Sequence, residues 1–245
     1  MLNPCRPLLF ATISLTIVLP GTLAADTLAV DDDAGDAAFL FFYDIRPGMS
    51  GLFEDGYQRH LAWHHQAGDP WTWSGWTVLI GNQPGRFVNG VFGLRFGEFD
   101  HRVDPAGDRA DARLHVAPFA KPVARQVLRR RPDLGSGVSW EEQTQAPMLE
   151  VTRFAVKPGH RQAFEIALRA WRDTNGASSR GSVTWYELVV GGSEPTYLRI
   201  IPRHAWADYG RDPGPRPEVA DTVAEIESET WIYRQDLSYI PTEGQ

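Results

Sequence analysis

The chain has 245 residues, a formal net charge of −7 and 42% hydrophobic residues, which is enough for one large domain or two small ones with a real core. An acidic chain with no basic block matches neither nucleic acid nor an anionic membrane surface, so neither partner is expected. Its one cysteine, Cys5, lies in the first apolar segment, which leaves no thiol elsewhere for a disulfide, a nucleophile or a thiolate metal site.

Residues 1–25 read as a secretory signal peptide: Arg6, an apolar run over 7–19, Pro20-Gly21, and the small residues Thr22-Leu23-Ala24-Ala25. The run is too short to span a bilayer comfortably, so the mature chain is expected to be periplasmic or secreted and free of the membrane. Residues 26–37 are small and acidic without periodicity, a flexible leader.

A first repeat is expected over 38–135. It opens with a strand over 39–45, stopped by Pro47-Gly48, and continues in a helix whose stripe is Met49, Leu52, Phe53, Tyr57, His60, Leu61 and His64. Ala67-Gly68 ends that helix. Strands over 71–80 and 86–96 flank the turn Gly81-Asn82-Gln83-Pro84-Gly85, residues 99–124 read as loop with weak helix, and 125–131 as a short closing strand.

Residues 136–147 read as a linker, and a second repeat follows over 148–241. Its expected elements are a strand over 149–156, a helix over 160–172 capped by Asn175-Gly176, and a hairpin of 182–190 with 196–202. A second helix over 218–228, ending in the solvated acids Glu225, Glu227 and Glu229, precedes a closing strand over 230–233.

The same passage occurs twice in this plan. Ile45-Arg46-Pro47-Gly48 and Phe53-Glu54 match Val156-Lys157-Pro158-Gly159 and Phe164-Glu165; Val78-Leu79-Ile80-Gly81 matches Leu188-Val189-Val190-Gly191; Arg131-Pro132-Asp133-Leu134 matches Arg234-Gln235-Asp236-Leu237. Order is kept throughout, as in a duplicated β-α-β-β-α-β unit. Such a unit has helices on one sheet face and must cover the other, which two copies do for each other.

The chain thereby resembles the dimeric α/β-barrel superfamily, with two tandem ferredoxin-like repeats packed sheet to sheet as an intramolecular pseudo-dimer, an α+β fold. Glu150, Val156-Lys157-Pro158-Gly159 and Phe164 resemble the NIPSNAP-like pattern, which the first copy breaks at Phe39 and Arg46. The resemblance implies a fold more than an activity, since the superfamily mixes oxygenases, haem-handling enzymes and proteins of unknown role.

His60 and His64, four apart on a helix, project to one face as paired ligands would. No third ligand is nameable, so no metal is assigned. Their partners in the second copy are Trp171 and Asn175, which points to His60 as a hydrogen-bonded packing residue and to His64 and His65 as residues favoured by the helix dipole. The resemblance nevertheless places substrate between sheet and helices, where Tyr57, His60 and His64 face and where Tyr43 and Trp76 belong to an aromatic concentration unique to the first copy. These five are the candidate ligand-binding residues.

No nucleophile elbow, phosphate loop or dinucleotide fingerprint is present, so no cofactor is predicted, and haem enters through the resemblance alone. The primary expectation is a monomeric exported protein binding a small apolar or aromatic molecule in the first repeat. The alternatives are a cofactor-independent monooxygenase-like or haem-associated enzyme, and a structural or assembly module pairing through Trp63.

Overall fold

The computed structural model describes residues 35–135, 146–175, 183–210 and 219–241. The expected signal peptide, nearly all of the leader and linker, and the Gly176 cap lie outside them. Among the described residues no helix is long and apolar enough to cross a membrane.

The first half runs β1 (Ala37–Ile45), α1 (Ser50–Gln66), β2 (Ser74–Ile80), β3 (Phe87–Leu94), α2 (Pro105–His115) and β4 (Ala120–Arg130). The second runs β5 (Met148–Val156), α3 (Arg161–Asn175), β6 (Thr184–Val190), β7 (Thr196–Arg203) and β8 (Val223–Tyr233). Both Pro-Gly turns behave alike: Gly48 and Gly159 sit at φ +75° and +79°, a left-handed conformation that glycine adopts without Cβ strain, and each turn releases the chain into α1 or α3.

The eight strands close into one antiparallel barrel in the order β1-β3-β2-β8-β5-β7-β6-β4. The expected α/β-barrel is thus a closed one, its two sheets joined at their edges. Each half supplies a four-stranded sheet, and the sheets hydrogen-bond edge to edge at two seams, β2 with β8 and β4 with β6. Closure leaves no unpaired edge strand, the energetic reason to join rather than stack. The seams share one register: Val78 lies opposite Trp231, and Leu188 opposite Leu128.

A correction concerns 218–228. Residues 223–233 form the long strand β8, preceded by a single turn of tight helix at 220–222. Glu225, Glu227, Glu229 and Trp231 recur every second residue, the period of a strand. Glu227, Glu229 and Trp231 line one polar cavity of the barrel with the half-buried Arg153, so the last two acids are not a solvated helix face. Among the described residues, then, the second half has no counterpart of α2.

Strand alternation divides the core. Leu40 and Phe42 of β1 point inward and join Trp76, Leu128, Tyr186, Leu188 and Trp231 in the barrel interior. Phe41 and Tyr43, the alternate residues, point outward toward α1 and α2. On the other side α3 buries Phe164 and Leu168 against Phe154, Trp185 and Tyr197. Each such buried side chain contributes about 1.5–3 kcal/mol of transfer free energy.

The repeated Arg-x-Asp-Leu segments act as reciprocal clamps. Arg131, just after β4, binds Glu165 of α3 at 2.7 Å, while Arg234, just after β8, binds Glu54 of α1 at 2.9 Å. Each arginine also chelates its own aspartate, Asp133 or Asp236. Glu150 is a buried anchor of the second half, paired with Arg199 at 2.9 Å and Arg203 at 2.7 Å.

Candidate functional site

α1 lays its buried stripe of Phe53, Gly56, Tyr57, His60, Leu61 and His64 against the outer face of the first-half sheet and against α2. The two helices approach very closely at Gly56, where a Cβ would stand 2.0 Å from the His115 carbonyl oxygen. α2 begins where Asp104 accepts a hydrogen bond from the Gly107 N–H at 3.0 Å and Pro105 fills a first-turn position. This docking turns Asp108 and Asp111, three apart on α2, toward the histidines of α1.

The Asp111 carboxylate accepts from His60 Nδ1 at 2.8 Å, and Asp108 Oδ1 lies 3.4 Å from His60 Nε2. Asp108 Oδ2 is held in turn by Arg102 at 2.7 Å. The turn after α1 performs the equivalent service for His64. The Asp69 N–H donates to the His64 carbonyl at 3.0 Å, and its carboxylate accepts from His64 Nδ1 at 2.7 Å. The same carboxylate accepts from the Trp71 N–H at 3.0 Å and Trp73 Nε1 at 2.9 Å.

Burial alone would push the Asp69 carboxyl up, but the hydrogen bonds from His64, Trp71 and Trp73 outweigh it and hold the group below its ordinary value. An ionised Asp69 accepts only, so His64 carries its proton on Nδ1 and turns Nε2 away. Burial lowers the His60 pKa, opposed by its bond to Asp111. Burial also raises Tyr43 to about 12 and lifts Tyr57 well above its ordinary value, so both phenols stay protonated at neutral pH.

A cavity of about 240 Å³ opens between sheet and helices. Phe41, Tyr43 and Asn89 form its sheet wall, Tyr57, His60 and His64 its α1 wall, and Trp73 its far end. Asp108, Arg109 and Arg113 of α2 and Arg125 of β4 supply charge. Arg125 stands 5.3 Å over the Phe41 ring. Asn89 Oδ1 is buried and has no hydrogen-bond partner, a costly state unless a bound molecule supplies a donor.

Four of the five candidate residues, Tyr43, Tyr57, His60 and His64, meet at this cavity. Trp76 does not: it is fully buried inside the barrel, against Phe92 and Trp231. His60 is hydrogen-bonded, as expected, but to α2, and it lines open space. His64 is buried and fixed by Asp69, whereas His65 is exposed in the last turn of α1 and remains a helix-end residue. Trp63 is half-buried and stacks on the His60 ring at 6.3 Å.

Asp69, Asn89, Asp108, Asp111 and Arg125 were not singled out in the sequence. A signal for two of them exists: Asp104, Asp108 and Asp111 recur at helical spacing, one carboxylate per turn. Asn89 and Arg125 carry no such signal, because their outward direction depends on strand register.

No protein-family profile and no curated protein matches this sequence. Solved structures do. A provisionally assigned monooxygenase from Lactobacillus acidophilus aligns over 84% of this chain and 97% of its own with a TM-score of 0.55 and 13% identity. The chain shares its α/β-barrel fold with this structure. An anthrone oxidase-like protein aligns over 83% of this chain and 93% of its own, with TM-score 0.54 and 12% identity. Chlorite dismutase from Candidatus Nitrospira defluvii aligns over the same shares, with TM-score 0.55 and 5% identity. At these identities the likeness concerns the fold.

Haem does not fit the cavity as it stands. A void of about 150 Å³ holds benzene, and the 240 Å³ here suits one or two fused rings, far short of a tetrapyrrole.

Proposed function

We propose that this protein is an oxygen-using enzyme of the monooxygenase type that acts on a small hydroxylated aromatic molecule bound in the first-half cavity. The observation that carries the reading is the unpartnered Asn89 Oδ1 in an aromatic cavity beside two carboxylate-held histidines. A ring hydroxyl donating to Asn89 satisfies that acceptor, the faces of Phe41, Tyr43 and Trp73 take the ring, and Arg125 or Arg113 attracts its anionic form. Held from behind by Asp111 and Asp69, His60 and His64 face the bound hydroxyl, and a deprotonated, electron-rich ring is the form that reacts with oxygen. Neighbours that include a provisionally assigned monooxygenase and an anthrone oxidase-like protein support this reading.

The two halves are read as tandem copies forming an intramolecular pseudo-dimer of NIPSNAP-like type. Support comes from the shared seam register and the reciprocal Arg131–Glu165 and Arg234–Glu54 clamps. On this reading the chain functions as a monomer, and residues 1–25 direct its export to the periplasm or medium.

The test offers catechol, salicylate and 1,4-naphthohydroquinone to the protein in air while recording tryptophan fluorescence and dissolved oxygen. Saturable quenching with oxygen uptake that falls at least ~10-fold in His60→Ala is the expected result. Quenching without oxygen uptake would leave a binding protein and refute the enzymatic part; no quenching would refute both.

A further inference from the structure

The same cavity wall contains a three-ligand set that neither the fold nor the sequence pairing requires. One ligand atom from each of His60, His64 and Asp108 lies within 4.8 Å of the other two. We infer that His60 Nε2, His64 Nε2 and the Asp108 carboxylate form a mononuclear site for a divalent transition-metal ion whose open positions face the aromatic cavity. The inference rests on the cavity proposed above as the place where substrate binds.

Three observations carry it. The first is the fixing of every ligand from behind. His60 Nδ1 is held by Asp111 at 2.8 Å, His64 Nδ1 by Asp69 at 2.7 Å, and Asp108 Oδ2 by Arg102 at 2.7 Å. Metal-bound imidazoles characteristically give their other N–H to a carboxylate, which sets the tautomer and raises ligand basicity. Here both histidines do so, and Asp69 is itself locked by two tryptophan donors.

The second is the close approach of two ligand atoms. His60 Nε2 lies 3.4 Å from Asp108 Oδ1, the spacing of two donors on one ion. The third is the ligand chemistry. Two imidazoles and one carboxylate with open positions suit iron(II), manganese, cobalt or zinc, and the set offers no thiolate that would select a softer ion. Donors at about 2.0–2.2 Å from one ion lie roughly 3–4 Å apart, so the set closes by about 1 Å on loading. His60 and Asp108 are already within that spacing.

Tyr57 and Asn89 line the same cavity as the three ligands, and the ring hydroxyl is expected beside them. The substrate class is thereby narrowed to an aromatic with two oxygen substituents, one coordinating the ion as a phenolate and the other a hydroxyl donating to Asn89.

The test uses the full chain stripped with chelator and titrated with Co²⁺, read by visible d–d absorption and by metal content after gel filtration. One Co²⁺ per chain, displaced by Zn²⁺, is expected. Asp108→Asn, which preserves shape, and His64→Ala should each weaken binding at least ~100-fold, and Asp69→Asn by about 10–100-fold. Glu165→Gln, in the other half, should leave it unchanged. Absence of the d–d band at millimolar Co²⁺, or a band unchanged in Asp108→Asn, overturns the site; the first result would make His60 an imidazolium bridging Asp108 and Asp111. Because the readout needs no turnover, a Co²⁺ site without oxygen uptake refutes the proposed activity alone, and oxygen uptake by a protein that shows no Co²⁺ band refutes the metal site alone.

Discussion

Replacing Gly56 by alanine separates two opposed forces on one helix. Intrinsic propensity favours alanine over glycine in a helix by up to about 1 kcal/mol. At Gly56, however, the added Cβ would stand 2.0 Å from the His115 carbonyl oxygen and 3.2 Å from Phe119 Cδ2. The oxygen is backbone and cannot rotate aside, so α1 and α2 must separate by roughly 1 Å, and overpacking of this kind costs about 1–3 kcal/mol. A net loss of about 1–2 kcal/mol is expected, lowering Tm by about 2–8 °C in a chain of this size. The same displacement stretches the 2.8 Å His60–Asp111 contact and detaches Asp108 from the histidines. Gly51→Ala is the internal control, because nothing lies within 4 Å of its Cβ on the same helix and propensity alone should raise or preserve Tm. Thermal melts of both variants, with fluorescence titration of an aromatic ligand, check the reasoning. A Gly56→Ala protein as stable as the parent, with unaltered ligand binding, would refute the tight α1–α2 contact as the element that positions the site.

Three further outcomes are expected. Glu165 and Asp133, held by Arg131, titrate at about 2, well below ordinary carboxylates. Because the folded values are depressed, their stabilisation is complete above about pH 4.5 and is lost as pH falls toward 2; urea melts between pH 7 and 3 should show this slope, and Glu165→Gln should flatten it while costing about 1–2 kcal/mol at neutral pH. Asn89→Leu removes the unpartnered acceptor, so aromatic-ligand affinity should fall at least ~10-fold while stability by thermal melt shifts by no more than about 1 kcal/mol; unchanged affinity would take Asn89 out of the site. Trp76→Phe should cost about 1–3 kcal/mol in a denaturant melt through lost packing inside the barrel, yet leave ligand titration curves unaltered in the folded protein, whereas a weakened ligand would return Trp76 to the pocket.

The candidate site was half legible. His60, His64, Tyr57 and Tyr43 are visible because i, i+4 spacing on a helix and alternation on a strand are local periodicities that declare a shared face. Trp171, which stands at the corresponding place in α3, gives no hint of the carboxylates around His60, since the second half has no described equivalent of α2. The carboxylates that give the histidines their chemistry come from α2 and from the turn at Asp69, and the weak apolar pattern of residues 105–115 concealed α2 among loops. The error at 218–228 had another cause: acids at every second position of β8 were read as a solvated helix face, although period two is the mark of a strand.

By itself the sequence determined the strand, helix and hairpin that open each half, the Pro-Gly turns, and which helix carries the paired histidines, all of which follow from residue spacing and turn chemistry over short stretches of chain. Barrel closure through the two seams, the Gly56 contact that docks α2 on α1, and the meeting of His60 and His64 with Asp69, Asp108, Asp111 and Asn89 were decided in the tertiary structure. Those contacts join residues from a few to more than 150 positions apart, and their geometry depends on sheet register and helix approach, which local patterning does not encode.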